Sequence, residues 1–176
     1  PAQGAGRRSI AAILYPAILF GVPLLLLHAT CLRLQYFWDE LGQFIPAALD
    51  ILHDGAWIPR STLPNVHPPG VMAYLALVWR AFGYSIPATR LAMLAMAGAG
   101  LVGLFYLAIE VCRPLRGAPA FMPSVLLLAS PLFFTQSMMA QLDMPAMVFT
   151  IIALLLFFRE RFAMCAFSCV ALVLAK

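Results

Sequence analysis

Residues 10–31 read IAAILYPAILFGVPLLLLHATC, and this run decides the fold class. It contains no Asp, Glu, Lys or Arg, and its 22 residues, at ~1.5 Å rise each, form a helix that covers the ~30 Å hydrocarbon core of a bilayer. Pro16, Gly21 and Pro23 predict a kink of the kind that neighbouring helices tolerate in a membrane. Arg7 and Arg8 precede the run and set its start on the cytoplasmic side. No small-residue cleavage site follows cleanly, so the run reads as a span and not as a signal peptide. The rest of the chain agrees with it. Hydrophobic residues make up 64% and charged residues 10%, with a mean hydropathy of +0.94, well outside the range of soluble domains. The predicted fold class is all-α: an integral membrane helical bundle with surface-lying helices in its first outer loop. The net charge of +4 comes from basic residues scattered at the ends of apolar segments. These read as topology signals and do not suggest a nucleic-acid partner. The chain opens at Pro1 and stops at Lys176 within an apolar run, so it reads as the N-terminal part of a larger protein.

Further spans are expected at about 88–110, 118–136, 144–158 and 162–176, with an outer loop over 32–87. Within that loop Leu41, Phe44, Ile45, Ala48, Leu49 and Leu52 fall on one helical face, which predicts an amphipathic helix along the membrane surface. Gln43, Asp50, His53 and Asp54 fall largely elsewhere, and Asp50 reads as a surface acid. Pro46 predicts a kink or two short pieces, and Gly55 a stop. Residues 70–82 are too short for a comfortable span and read as a second surface-lying or half-buried helix. Ser85 and Pro87 look like the cap and first turn of the next helix. Gly98, Gly100 and Gly103 predict close helix packing, and Pro123 and Pro131 interrupt the span over 118–136. The four cysteines, Cys31, Cys112, Cys165 and Cys169, show no metal spacing and read as buried small apolar side chains. This topology keeps Arg113, Arg116, Arg159 and Arg161 inside, and gathers Asp39, Glu40, His67 and Asp143 at the outer face.

Those four residues carry the candidate chemistry. Asp39 and Glu40 follow an aromatic run, Tyr36-Phe37-Trp38, just past the first span. As sequence neighbours their side chains diverge, so one can act as a general base while the other positions the backbone or holds a metal. The competing reading is two solvated interfacial acids, one of them capping the next helix. His67, within His-Pro-Pro-Gly, can bind a phosphate, orient a carboxylate or ligate a metal; otherwise it is a loop histidine. Arg60, Arg80 and Arg90 can bind a lipid phosphate or simply snorkel. Asp143 with Pro145 is a helix start or a second acid of the site. Nothing here decides whether a divalent cation takes part.

The order Asp39-Glu40, His67-Pro68-Pro69 and Gly83-x-Ser85-x4-Arg90, followed by Ser130-Pro131 through Asp143, resembles the N-terminal half of the GT-C glycosyltransferases. The nearest look is to the branch of protein O-mannosyltransferases and lipid A aminoarabinose transferases. The resemblance implies a multi-span enzyme, in a bacterial plasma membrane, that transfers a sugar with inversion from a polyprenyl-phosphate donor to a protein, lipid or glycan acceptor on the non-cytoplasmic face. It implies that Asp39 is the catalytic base, that Glu40 is its partner acid and that Asp143 is a second acid near the site. His67 stands where the aminoarabinose branch has a lysine, near the donor phosphate, and Arg60 is a further candidate for donor or acceptor contacts. The rival class is a transporter or scaffold subunit, which predicts ionisable residues lining a path within the spans.

Overall fold

The structure, a computed structural model, describes residues 2–64, 67–113 and 119–176, with side chains from residue 14 onward. The side chains of Arg7 and Arg8, and the whole of Asn65, Val66 and Arg116, lie outside the described residues. The chain is all-helical, with no strand among the described residues. Its elements are α1 (Ala2–His28), a π-helical turn (Glu40–Phe44), α2 (Ile45–Asp54), α3 (Gly70–Phe82), α4 (Ile86–Cys112), α5 (Met122–Leu128), α6 (Pro131–Gln136), α7 (Asp143–Phe158) and α8 (Phe162–Ala175). Among the described residues, two helical segments are long and apolar enough to cross a membrane, Leu14–Cys31 and Ile86–Cys112.

Local chemistry explains most of the boundaries. α1 stays helical through Pro16 and Pro23. The split expected near Pro46 falls one residue earlier, between the π-helical turn and α2, because proline lacks the N–H that only the first turn can spare. By α periodicity Leu41 shares a face with Phe44 and Ile45, yet it is 63% exposed where they are buried, because the wider π turn shifts the phase of the pattern. Gly55 closes α2 at φ +64°, and its N–H reaches the Ile51 carbonyl at 3.1 Å. Ser85 caps α4, with Oγ accepting from the Ala88 N–H at 3.2 Å and Pro87 in the first turn. The stretch expected as one span over 118–136 is instead two short helices. Pro123 opens α5, and Pro131 opens α6 behind a Ser130 cap. The cysteines are less buried than expected: Cys169 is exposed and the others are half-buried.

α4 is the central element. It packs against α1, α3, α5 and α7, and α8 lies on α7 and α3. Small residues let the α4 and α7 backbones meet: a Cβ at Gly100 would stand 2.8 Å from Val148 Cγ2, and one at Gly103 3.2 Å from Ile151 Cγ2. Gly100→Val is therefore expected to destabilise the helix assembly by about 1–3 kcal/mol through overpacking, read as a lower midpoint of thermal unfolding in detergent. The core joins Phe20 and Leu24 of α1, Met72 and Leu75 of α3, Met93 of α4 and Val148 of α7. Outside it, α1 and α8 turn large apolar side chains outward, with Leu26 71% and Phe167 77% exposed. Apolar faces of that extent require a non-aqueous or protein neighbour.

Candidate active site

The segment after α1 carries two backbone irregularities side by side. Trp38 sits at φ +47°, in the left-handed region, which for a bulky side chain costs about 1–3 kcal/mol. The π-helical turn begins two residues later. The surroundings hold this conformation: Gly42 N–H donates to the Trp38 carbonyl at 2.9 Å, and Glu40 N–H to Phe37 at 3.0 Å. Asp39 lies between the two irregularities. It is exposed, and although it occupies the position before the turn, its side chain makes no capping hydrogen bond. The capping reading of this acid is thus not what the structure shows. Among the described residues its carboxylate has no hydrogen-bond or ion-pair partner.

Glu40 goes the other way, as the divergence of neighbouring side chains requires. It is 0% exposed and forms an ion pair with Arg90, which is 2% exposed. Arg90 Nη1 donates to Glu40 Oε1 and, at 3.0 Å, to the Met138 carbonyl. Its Nη2 donates to Glu40 Oε2 at 3.1 Å, Gln35 O at 3.0 Å and Leu34 O at 3.3 Å. Glu40 also accepts the N–H of Ala140 at 2.7 Å and that of Phe37 at 3.1 Å. One buried pair thus ties the post-α1 segment, the start of α4 and the 137–141 turn together. Two sequence readings are corrected by this. Arg90 is committed to the pair and does not reach a lipid phosphate, and Glu40 is committed to Arg90 and two N–H groups and does not fit a metal-linked role.

A second cluster backs the first. Thr89 Oγ1 donates to the Ser85 carbonyl at 3.0 Å and accepts from Trp79 Nε1–H at 3.0 Å and from the Tyr36 hydroxyl at 2.7 Å. The Arg90 guanidinium lies 5.3 Å from the Tyr36 ring centroid. Burial pushes the Tyr36 hydroxyl up to about 12, against the opposing hydrogen bond from Thr89, so Tyr36 stays a neutral donor through the working pH range. At the end of α1, fully buried His28 stacks on Phe134 and donates from Nδ1 to the Leu24 carbonyl at 2.8 Å. Its Nε2 stands 2.9 Å from both the Ser137 hydroxyl and the Phe134 carbonyl. Sequence reasoning missed His28, Thr89 and Trp79. The available signal was a polar side chain in the last or first turn of an apolar helix, where a buried polar group needs a partner.

The remaining candidates lie around this frame. His67 packs against Phe44, the last residue of the π-helical turn, with ring centroids 6.4 Å apart. With Trp57, Pro59 and Met72 it lines a cleft of about 210 Å³. Arg60 is exposed, and its backbone N–H donates to Asp50 Oδ2 at 2.6 Å. Asp50, read as a surface acid, is buried and also accepts the Ser61 N–H at 2.9 Å. Burial pulls its carboxyl upward, but the Ser61 and Arg60 N–H groups outweigh this and hold it below its ordinary value of 3.8. A lowered carboxyl stabilises the fold above its unfolded value and loses that contribution as pH falls through the folded one. Unfolding midpoints should therefore be flat above about pH 5 and drop below it, and Asp50→Asn should remove its share of that drop. Asp143 is the first residue of α7 and not its cap, and it pairs with Lys176, both exposed. Such a pair holds its partners loosely.

Glu40 brings the Asp39 segment against Ala140, three residues before Asp143, and Phe44 brings the same turn against His67. Asp39, Glu40, His67 and Asp143 thus belong to one end of the helix assembly, while Arg60 is held to that end only through its backbone. Among the described residues no three His, Cys, Asp or Glu side chains gather as a metal site. Compared with known protein families, curated proteins and solved structures, the chain matches none of them.

Proposed function

We propose that this chain forms part of a multi-span membrane glycosyltransferase of the GT-C type, with Asp39 as its general base. One observation carries the reading: an exposed carboxylate without a partner follows a strained Trp38 and sits beside a fully buried ion pair that fixes its backbone. Strain and rigid anchoring next to an uncommitted acid are a pattern of sites that hold a reactive group ready. The two apolar segments long enough to span, and the outward apolar faces of α1 and α8, support a membrane setting. The order of motifs that resembles the GT-C enzymes supports the reaction class.

In this reading the acceptor hydroxyl attacks the anomeric carbon of a polyprenyl-phosphate sugar from the face opposite the phosphate. The new C–O bond forms as the C–O bond to phosphate breaks, with inversion. Asp39 takes the hydroxyl proton, and the phosphate departs as an anion that needs no proton from the protein. His67, which packs on the turn through Phe44, and Arg60 are the candidate contacts for the donor phosphate or the acceptor, and Asp143, exposed and paired with Lys176, is a second acid.

The test is sugar transfer from a panel of polyprenyl-phosphate donors in membranes carrying the full-length protein. Wild type is compared with Asp39→Asn and with Asp54→Asn; Asp54 is an exposed acid at the end of α2. Loss in Asp39→Asn alone, at equal protein level, is the expected result. Equal activity in all three removes Asp39 from the mechanism. No transfer from any donor by wild type returns the transporter or scaffold reading.

A further inference from the structure

An open apolar groove of about 650 Å³ runs between α1 and α4. Its floor is made of small residues: Ala17 and Gly21 on α1, and Ala95, Gly98 and Ala99 on α4. It extends on α4 from Leu91 to Tyr106, a rise of about 22 Å along the helix. One leaflet of hydrocarbon is about 15 Å thick, so the groove has the length for one extended lipid chain.

The Tyr106 end of the groove is polar and cationic. The Arg159 guanidinium lies 5.3 Å from the Tyr106 ring centroid, and its Nε donates to Glu110 Oε1 at 2.8 Å. Arg113 Nη2 contacts Glu110 Oε2 at 2.6 Å. Glu110 is 11% exposed, whereas Arg159 is 41% and Arg113 74% exposed. Two outward cations share one inward acid, which leaves a net positive charge at the mouth of an apolar channel. Arg159 engages Glu110 through Nε, which leaves its Nη donors for a further acceptor. An aliphatic chain beneath a single negative headgroup matches this arrangement at both ends.

We infer that the α1–α4 groove is a binding site for one anionic phospholipid, its acyl chain along Gly21 and Gly98 and its headgroup phosphate on Arg159 and Arg113. The site requires only that α1 and α4 lie in a membrane, and not sugar transfer. The positive-inside arrangement puts these arginines at the cytoplasmic leaflet, at the end of the helix assembly away from Asp39.

The test is native mass spectrometry of the full-length protein, exposed in detergent to equal amounts of phosphatidylglycerol and phosphatidylcholine. Wild type should retain one phosphatidylglycerol at least five times more often than phosphatidylcholine. Gly98→Leu should abolish retention of both. A Cβ at Gly98 meets only Leu24 Cδ2, at 3.8 Å, so the new side chain fills the groove without pushing backbone. Gly21→Leu, where a Cβ meets nothing within 4 Å, is the second groove-filling variant should the first fold poorly. Arg159→Gln should bring the two lipids to parity, and Arg33→Gln should change nothing. Equal retention of both lipids by wild type, no retained lipid, or unchanged retention in a folded groove-filling variant overturns the site. So does a disulfide-linked dimer of Gly98→Cys, which would place a second copy in the groove.

Discussion

Glu40→Ala is expected to destabilise the protein by about 3–5 kcal/mol, as the breaking of a buried ion pair does elsewhere. The cost has three sources. Arg90, 2% exposed, would keep its charge with no anion beside it, only the Met138, Gln35 and Leu34 carbonyls and the Tyr36 ring. The N–H groups of Ala140 and Phe37 would lose their acceptor, each at about 1–3 kcal/mol if no water replaces it. The volume of the side chain would remain as a void. Arg90→Met should cost a similar amount for the mirrored reason, an orphaned carboxylate. The double variant Glu40→Leu with Arg90→Met should recover much of the loss, because two matched apolar groups leave no buried charge. The measurement is a double-mutant cycle on thermal unfolding in detergent. Additive losses would mean that the pair does not act as one unit.

Asp39→Asn is expected to do the reverse: little to stability and a great deal to activity. The side chain is exposed and has no partner among the described residues, so its exchange should move unfolding by no more than about 0.5 kcal/mol. A positioned general base contributes about 10²–10⁴-fold to rate. If Asp39 takes the acceptor proton as proposed, kcat for sugar transfer should fall by that factor with the donor KM nearly unchanged, since the amide keeps the shape but cannot accept the proton. A fall confined to KM would make Asp39 a binding residue. The two variants therefore separate neighbours in sequence. Loss of fold at Glu40 and loss of rate at Asp39 are distinguished by measuring unfolding and transfer on the same preparations.

Much of the local structure is legible without coordinates. The apolar stretch over 10–31 makes a helix, Gly55 ends α2 in the left-handed conformation, Ser85 and Pro87 open α4, and Gly100 marks where a neighbouring helix comes close. The failures have physical reasons. Pro123 and Pro131 read as interruptions of a span, yet each is a start, since proline is accepted in a first turn. Leu41 parts from Phe44 and Ile45, its partners in the periodic pattern, because a π-helical turn does not keep the 3.6-residue phase. Asp50 read as a surface acid because an isolated aspartate belongs there; two N–H groups from the 60–61 loop reverse that.

The sequence by itself determined most of the helices, several of their ends and the excess of apolar surface, because capping, proline geometry and hydropathy are properties of a few adjacent residues. It also singled out the Asp39–Glu40 step and required the two side chains to part. Only the tertiary structure decided which acid went where. Glu40 is buried because Arg90, 50 residues away, and the Ala140 N–H, 100 residues away, meet it. A charge enters a low-dielectric interior only with such partners, and those partners come from segments that no local pattern joins.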